Sequence, residues 1–235
     1  MASLLDTAAF AQVDDSAIRA SARLPDARMD PRGVENMAVL AQQKDTYGFW
    51  MTDIAQRSAI TENPLTAEAT EFRTLWQMLR DGCSADTIGG FGETPLLRTN
   101  GGDSWTALLL LRFGANPNFR CGTYGHTETY GGTALHAASK RGNVPMVVAL
   151  LNAGANPAVL DGYGLTPAAA ALAGGDGEHV SNAYPNNSSG PSQNQSVAAA
   201  AITKFVLGQN ARVDIHAGTL EEAHAAVLAA VQELG

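Results

Sequence analysis

The sequence predicts an all-α fold made of stacked helix pairs, and two observations support this prediction. The chain has 235 residues, of which 45% are apolar but only 6% are aromatic, so its core must be built mainly from small aliphatic side chains. Equivalent residues also recur at a fixed distance, since Thr133 and Thr166 are 33 positions apart and Gly82 and Gly114 are 32 apart. A period of this length is typical of repeat architectures, in which each unit buries its apolar face against the next.

Charge and hydropathy narrow the range of partners and compartments. With 15 Lys and Arg against 23 Asp and Glu the formal net charge is -8, and no basic run is present, so nucleic acid is not an expected partner. No apolar run approaches the roughly 18 residues that span a bilayer. Residues 1–12 have no basic residue ahead of an apolar stretch, so no membrane segment or secretory signal is expected. We therefore expect a cytoplasmic protein with free thiols at Cys83 and Cys121, which form no Cys-x-x-Cys motif.

The best-defined unit begins at Gly132. It reads Gly-Thr-Ala-Leu-His-Ala-Ala, turns at Gly142, continues through an apolar segment to Leu150 and Leu151, and ends in Gly-Ala-Asn from Gly154. This unit resembles the ankyrin repeat, whose pattern is Gly-x-Thr-Pro-Leu-His-x-Ala, a glycine turn, a second apolar helix and Gly-Ala-Asp/Asn. The resemblance implies an ankyrin-repeat solenoid of about four repeats that binds another protein and has no enzymatic activity, cofactor or metal.

The remaining units fall into phase with the period once two insertions are removed. The distance from Gly114 to Gly154 is 40 residues, seven more than the period, and the distance from Gly154 to Asn210 is 56, which is 23 more. The first excess corresponds to the polar and aromatic segment 119–131. The second corresponds to 174–196, whose Gly, Ser and Asn content favours a flexible loop without a core of its own. The helix pairs are predicted near 62–82, 94–114, 133–153 and 166–209.

Individual residues of the best-defined unit have expected physical roles. Thr133 is expected to cap the first helix with its hydroxyl, and His136 is expected to bond either back to Thr133 or to the loop of the next repeat. Gly154 ends the second helix where a positive φ is needed. In such an array each unit contacts only its neighbours, so the short first helix predicted at 95–100 is expected to be a weak point.

Both ends of the chain depart from the repeat pattern. Residues 61–235 form the predicted repeat domain, and residues 1–60 are predicted to form a helical N-terminal cap, with a separate binding segment as the alternative. Near the other end Thr219 and Glu222 form a capping box that begins a C-terminal capping helix. The solvent-facing side of that helix is expected to carry Glu221, His224, Gln232 and Glu233.

The sequence contains no recognised motif for catalysis, phosphate binding or metal binding. The first insertion does contain Cys121, and a thiol paired with His126 or His136 would be the best candidate nucleophile, because a thiolate needs a neighbouring base. A small enzyme that uses the Arg120–Tyr130 insertion is therefore the alternative from another functional class.

Recognition of another protein fits the same insertion better. Tyr and Arg dominate binding hot spots because they bury a large area and keep a polar tip. We expect binding through the concave face and the hairpin loops, and the acidic chain favours a basic or mixed partner surface. The protein is expected to be a monomer or part of a heteromeric complex, as an inhibitor or immunity-type protein that occludes an enzyme, or as a scaffold with several partners. The predicted binding residues are Phe119, Arg120, Tyr124, His126, Tyr130, Arg141, Asp161 and Tyr163.

Overall fold

The computed structural model describes seven stretches of the chain, and within them all regular structure is helical. These stretches are residues 51–56, 70–89, 92–99, 104–120, 131–173, 190–209 and 212–234. Most of the predicted N-terminal cap lies outside the described residues, as do Cys121, Tyr124, His126 and Tyr130.

Residues 51–56 are helical, and eight further helices follow in the described stretches. They are α1 (Thr70–Arg80), α2 (Pro95–Arg98), α3 (Ser104–Arg112), α4 (Ala134–Arg141), α5 (Val144–Asn152), α6 (Pro167–Leu172), α7 (Gln193–Val206) and α8 (Leu220–Gln232).

The helices from α2 to α7 form three consecutive pairs that stack in two rows. The first helices α2, α4 and α6 lie side by side, and the second helices α3, α5 and α7 form the other row. This arrangement matches the pairs predicted at 94–114, 133–153 and 166–209. Helix α1 corresponds to the second helix of the pair predicted at 62–82, and the position of its first helix lies outside the described residues. A single apolar core runs through all of these helices, from Phe72 in α1 to Ile202 in α7.

Each first helix begins at a threonine. Thr94 and Thr166 accept a hydrogen bond from the backbone N–H three residues later through their hydroxyl oxygens. Thr133 forms a capping box with His136, as predicted. The hydroxyl offers a partner to an N–H group that the first turn of a helix leaves unsatisfied, which fixes the start of the helix.

Each second helix ends two residues before a glycine with positive φ. Gly82, Gly114 and Gly154 have φ values of 95°, 87° and 89°, and Gly208 follows α7 with a φ of 69°. The equivalent position in the last pair is therefore Gly208 and not Asn210. Since Gly208 lies 54 residues after Gly154, the excess over the 33-residue period is 21 residues and not 23.

The second insertion is also shorter than predicted, because α7 begins at Gln193 and the proposed loop extended to Ser196. The Ser192 hydroxyl accepts from the Gln195 backbone, and the Gln195 amide oxygen accepts from the Ser192 backbone. The polar residues at this point therefore form a capping box and the exposed first turn of a helix. Gln195 also donates to the carbonyl oxygen of Lys140, which fixes the start of α7 against the turn after α4.

Loops of successive units are joined by polar side chains. The Asp86 carboxylate accepts from the Asn116 backbone at 2.8 Å. One unit further on, Asn118 accepts from the Asn156 backbone at 2.7 Å and donates to the Gly154 carbonyl at 3.0 Å. These bonds satisfy backbone groups that lie outside the helices, and they repeat because the loops repeat.

Helix α8 does not continue the stack as a terminal cap. It packs against α3 and α5, in the row of second helices, and buries Ala223, Val227 and Ala230 there. The prediction that His224 lies on the wet face is wrong, because His224 is only 8% exposed. Its ring stacks on Trp105 at the start of α3. Glu221, Gln232 and Glu233 are exposed, as predicted.

A buried arginine holds the segment that leads into α8. Nη1 of Arg112 donates to the carbonyl oxygens of Ile215 and Thr219 at 2.9 and 3.2 Å, and Nη2 donates to Gly218 at 2.6 Å. Burial lowers the pKa of Arg112 to about 10, and the charges of Asp214 and Glu222 oppose this shift. Arg112 therefore remains charged at neutral pH and binds the row of carbonyls as a cation.

Candidate protein-binding site

The loops that precede α4 and α6 are connected by the buried side chain of His136. Its Nδ1 accepts from the Thr133 backbone N–H at 3.1 Å, so its Nε2 carries the hydrogen and donates to the Leu165 carbonyl at 3.1 Å. His136 thus bonds both back to Thr133 and to the loop of the next repeat, which the sequence pattern predicted as alternatives. Burial lowers the pKa of His136, Lys140 and Arg120 also lower it, and the Leu165 carbonyl and Asp161 oppose the shift.

Asp161 organises the loop that leads into α6. One oxygen of its carboxylate accepts from the backbone N–H groups of Tyr163 and Leu165, each at 2.9 Å. The Asp161 backbone N–H donates to the Leu165 carbonyl at 2.9 Å. The side chain is 5% exposed, so this carboxylate stabilises its own turn and offers almost no surface to a partner.

Arg120 connects the two ends of the first insertion with the next loop. Its Nε donates to the Gly131 carbonyl at 3.0 Å, and its Nη2 donates to the Leu160 carbonyl at 2.8 Å. Gly131 has a φ of 63°, and a Cβ atom there would lie 3.1 Å from the Gly162 backbone nitrogen. The arginine is exposed, yet these two bonds fix the direction of its guanidinium group.

Two further exposed side chains lie in the loop that Arg120 contacts. Tyr163 is 37% exposed and Leu160 is 50% exposed. The Lys140 ammonium group lies 5.9 Å from the centroid of the Tyr163 ring, within the range of a cation–π contact. Arg141, the last residue of α4, is exposed next to Lys140. We call this surface the basic rim, and its residues are Arg120, Lys140, Arg141, Leu160 and Tyr163.

The charge of the basic rim is opposite to that of the whole chain. In the stretches 104–120 and 131–173 the sole carboxylate side chain is that of Asp161, which is buried. Arg120, Lys140 and Arg141 are the basic residues there apart from the buried Arg112. The described part of this surface is therefore positive although the chain has a net charge of -8. The expectation of a basic or mixed partner surface rested on the net charge of the chain, and the described part of the rim has the opposite sign.

The predicted binding residues divide into three groups. Arg120, Arg141 and Tyr163 are exposed on the basic rim. Phe119 is half-buried against the core, and Asp161 is buried in its turn, so both belong to the framework of the site. Tyr124, His126 and Tyr130 lie outside the described residues. Lys140 and Leu160 were missed. The Lys-Arg pair at the end of α4 was the available signal for Lys140, whereas nothing in the sequence indicated that Leu160 is exposed.

The hydrogen bonds of His136 argue against its role as the base in the enzyme alternative. His136 is fully buried, and both its ring nitrogens are hydrogen-bonded within the loop framework. It therefore has no nitrogen available to act as a base for Cys121. The described stretches contain no group of three His, Cys, Asp or Glu side chains that could hold a metal ion. They also contain no helix with the length and apolar character needed to cross a membrane.

Comparison with known families agrees with this arrangement of helix pairs and loops. A sequence profile described as "Ankyrin repeats (many copies)" matches residues 123–171, which include α4, α5 and most of α6. The matched segment belongs to the ankyrin repeat family. Ankyrin repeats are protein-interaction modules that stack into extended binding surfaces. The basic rim lies largely within this ankyrin-repeat segment.

A relative from Arabidopsis thaliana bears the name "Putative E3 ubiquitin-protein ligase XBAT34". It is 40% identical to this chain over 84 residues, which make up 34% of this chain and 21% of the relative. The chain thus matches about a fifth of the length of that protein.

Proposed function

We propose that the basic rim is the surface through which this ankyrin-repeat protein binds another protein. The observation that carries the proposal is the grouping of exposed Arg120, Arg141, Tyr163 and Leu160 on a framework of buried hydrogen bonds. Arginine and tyrosine are the side chains that most often dominate binding energy. A framework fixed before binding reduces the entropy that the complex must lose.

The form of action that we propose is occlusion of one partner enzyme. The described rim offers recognition groups, and binding alone blocks an active site when the inhibitor covers it. The likeness to the Arabidopsis protein extends over 84 residues only, and it gives no basis for ligase activity in this chain. A scaffold with several partners would use the same surface, so the number of partners distinguishes the two roles.

Site-specific photo-crosslinking in the native host tests this function. A photoreactive phenylalanine analogue is placed at Tyr163 in the rim and, as a matched control, at Leu228, which is 40% exposed on α8. We expect protein adducts from position 163 and none of the same mass from position 228. Equal adducts from both positions, or none from position 163, would contradict the proposal.

The adduct pattern then separates the two forms of action. One stoichiometric partner enzyme whose activity falls when the purified chain is added supports occlusion. Several partners, or one partner whose activity is unchanged, support a scaffold and remove the inhibitor role.

A further inference from the structure

We infer that the partner segment bound at the basic rim is an acidic, extended stretch of protein that places apolar side chains between its carboxylates. The inference rests on the proposed function, because it names the partner chemistry of that same surface. It follows from the separation of charge in the chain and from the apolar groups beside the cations.

The described stretches differ in their balance of charge. Over 70–89 and 92–99 there are four carboxylates and three basic side chains, and over 212–234 there are four carboxylates and one arginine. In the stretches 104–120 and 131–173 Arg120 and Arg141 are exposed, Lys140 is half-buried, and the one carboxylate is buried. A basic partner surface would therefore be attracted to 212–234, whereas an acidic one would be directed to the rim.

Two of the three rim cations have contacts within the protein that orient them. Arg120 is oriented by the carbonyl oxygens of Gly131 and Leu160, and the Lys140 ammonium group lies over the Tyr163 ring. Carboxylates of an incoming segment would meet these cations without first ordering them. Arginine in particular presents a planar fork of donors that fits a carboxylate.

The apolar part of the rim indicates that the partner segment also carries apolar side chains. Leu160 is half exposed, and Tyr163, three residues later in the same loop, is 37% exposed. A purely polyanionic ligand would leave both surfaces in water. A segment that carries both carboxylates and apolar side chains on the face turned toward the rim buries these surfaces. In an extended chain such residues occupy every second position, because neighbouring side chains point in opposite directions.

Binding of short labelled peptides tests the inference. The probe is a fluorescent peptide in which acidic residues and Leu take turns at every second position, with Ser between them, so that both types share one face of the extended chain. The comparison probes are the same peptide with Lys in place of the acids and a single-stranded oligothymidylate. Fluorescence anisotropy is measured over a range of salt concentrations. We expect the acidic peptide to bind most tightly and its affinity to fall as salt rises.

Paired charge reversals locate the effect. K140E/R141E changes two rim cations, and R80E/R212E makes the same change in net charge at two exposed arginines on other parts of the described surface. The rim variant should weaken the acidic peptide about tenfold or more, and the control less than about threefold. If thermal unfolding shows that the rim reversal fails to fold, K140Q/R141Q replaces it with the same expectation of direction.

Several outcomes would overturn the inference. Equal loss in the rim and control variants would show a general field effect, and equal affinity for the oligothymidylate would show a site for any polyanion. Salt-dependent self-association that K140E/R141E abolishes would make a second copy of the chain the occupant. Crosslinking from position 163 reports separately on the proposed function, so protein adducts without acidic-peptide binding would leave that function standing and remove only the partner chemistry.

Discussion

The imidazole ring of His224 stacks on the indole ring of Trp105, with centroids 3.7 Å apart and an interplanar angle of 14°. A nitrogen of the same imidazole lies 3.0 Å from the Ser104 hydroxyl. The two aromatic residues are more than a hundred positions apart in the sequence. Their contact, together with the bonds of Arg112, places α8 against the second helices in the middle of the array.

Acidification should destabilise the fold through its buried histidines. Burial lowers the pKa of both His224 and His136 below the ordinary value of 6.5. The unfolded chain therefore takes up protons first as the pH falls through about 6.5, and the free energy of unfolding decreases until the folded pKa values are reached. Each imidazole contributes at most about 1.4 kcal/mol per pH unit. Urea unfolding followed by tryptophan fluorescence from about pH 7 to about pH 5 measures this slope.

His224→Phe should reduce the pH dependence. The phenyl ring keeps the stack on Trp105 but cannot titrate, so one of the two contributions disappears. Tyr163→Phe serves as a control that replaces an exposed aromatic side chain without removing an imidazole. A His224→Phe slope equal to that of the wild-type chain would show that His224 takes no part in the effect.

Arg112→Leu should loosen α8 from the array. The substitution leaves the carbonyl oxygens of Ile215, Gly218 and Thr219 without the donors that they now have, and we expect a loss of about 3 kcal/mol. Arg112→Lys keeps the charge but not the fork of donors, so its effect should be smaller. Hydrogen exchange should accelerate over 215–231 more than in α5. The control is Arg80→Leu, at an exposed arginine of α1, which should leave both the stability and the hydrogen exchange over 215–231 unchanged. Exchange that accelerates equally in α5 would contradict a local role of Arg112.

Two glycines with the same sign of φ should differ in their tolerance of alanine. A Cβ atom at Gly142 would lie 2.7 Å from the Cβ atom of Asn194 and 2.9 Å from the Gln195 backbone nitrogen, whereas nothing lies within 4 Å of one at Gly154. Gly154→Ala should cost about 1 kcal/mol for the left-handed backbone alone. Gly142→Ala should cost at least about 1 kcal/mol more, because α7 must move away. Thermal unfolding of both variants measures the difference, and equal costs would show that α7 does not constrain this turn.

Asn118→Ala should weaken the contact between neighbouring loops. The side chain donates to Gly154 and accepts from the Asn156 backbone, and its loss in an exposed loop should cost about 1 kcal/mol. Asn118→Asp keeps the acceptor but replaces the donor with an oxygen that faces the Gly154 carbonyl, so it should be no more stable than the alanine variant. Gln232→Ala, at an exposed position of α8, is the control. An Asn118→Asp variant as stable as the wild-type chain would show that the donated bond contributes nothing.

Local signals predicted the helix pairs, and no local signal predicted where α8 docks. A threonine at a helix start or a glycine after a helix end acts within one turn, so Thr133 and Gly154 could be interpreted directly. The pattern of Ala223, Val227 and Ala230 shows which face of α8 is buried but not which helix covers it. The available signal was the sequence of α3, which is apolar at every position from Ala107 to Leu111, and the structure buries every residue from Trp105 to Arg112. A helix that is apolar on all sides must be covered on more than one.

Local signals also predicted part of the candidate site, whereas the burial of Asp161 and the charge of the rim depend on the folded structure. Asp161 was predicted to bind a partner because it lies at a hairpin tip of the repeat, yet Asp161-Gly162 begins a turn in which the carboxylate accepts from its own backbone. The exposure of Arg120 and Tyr163 could be predicted from the residue type. The positive charge of the rim could not be predicted from the net charge, because the acidic residues are concentrated toward the ends of the chain.

The hydrogen bonds from Arg112 to 215–219 change the expected order of unfolding. In a linear array the end units fray first and the others follow in succession. Here α8 is bound to α3, so the pair α2 and α3 cannot open without releasing α8. Unfolding should therefore be more cooperative than in an array that has contacts between neighbouring units only. Since this closure joins residues about a hundred positions apart, it must also form late, and folding should be slower than in an open array of the same length.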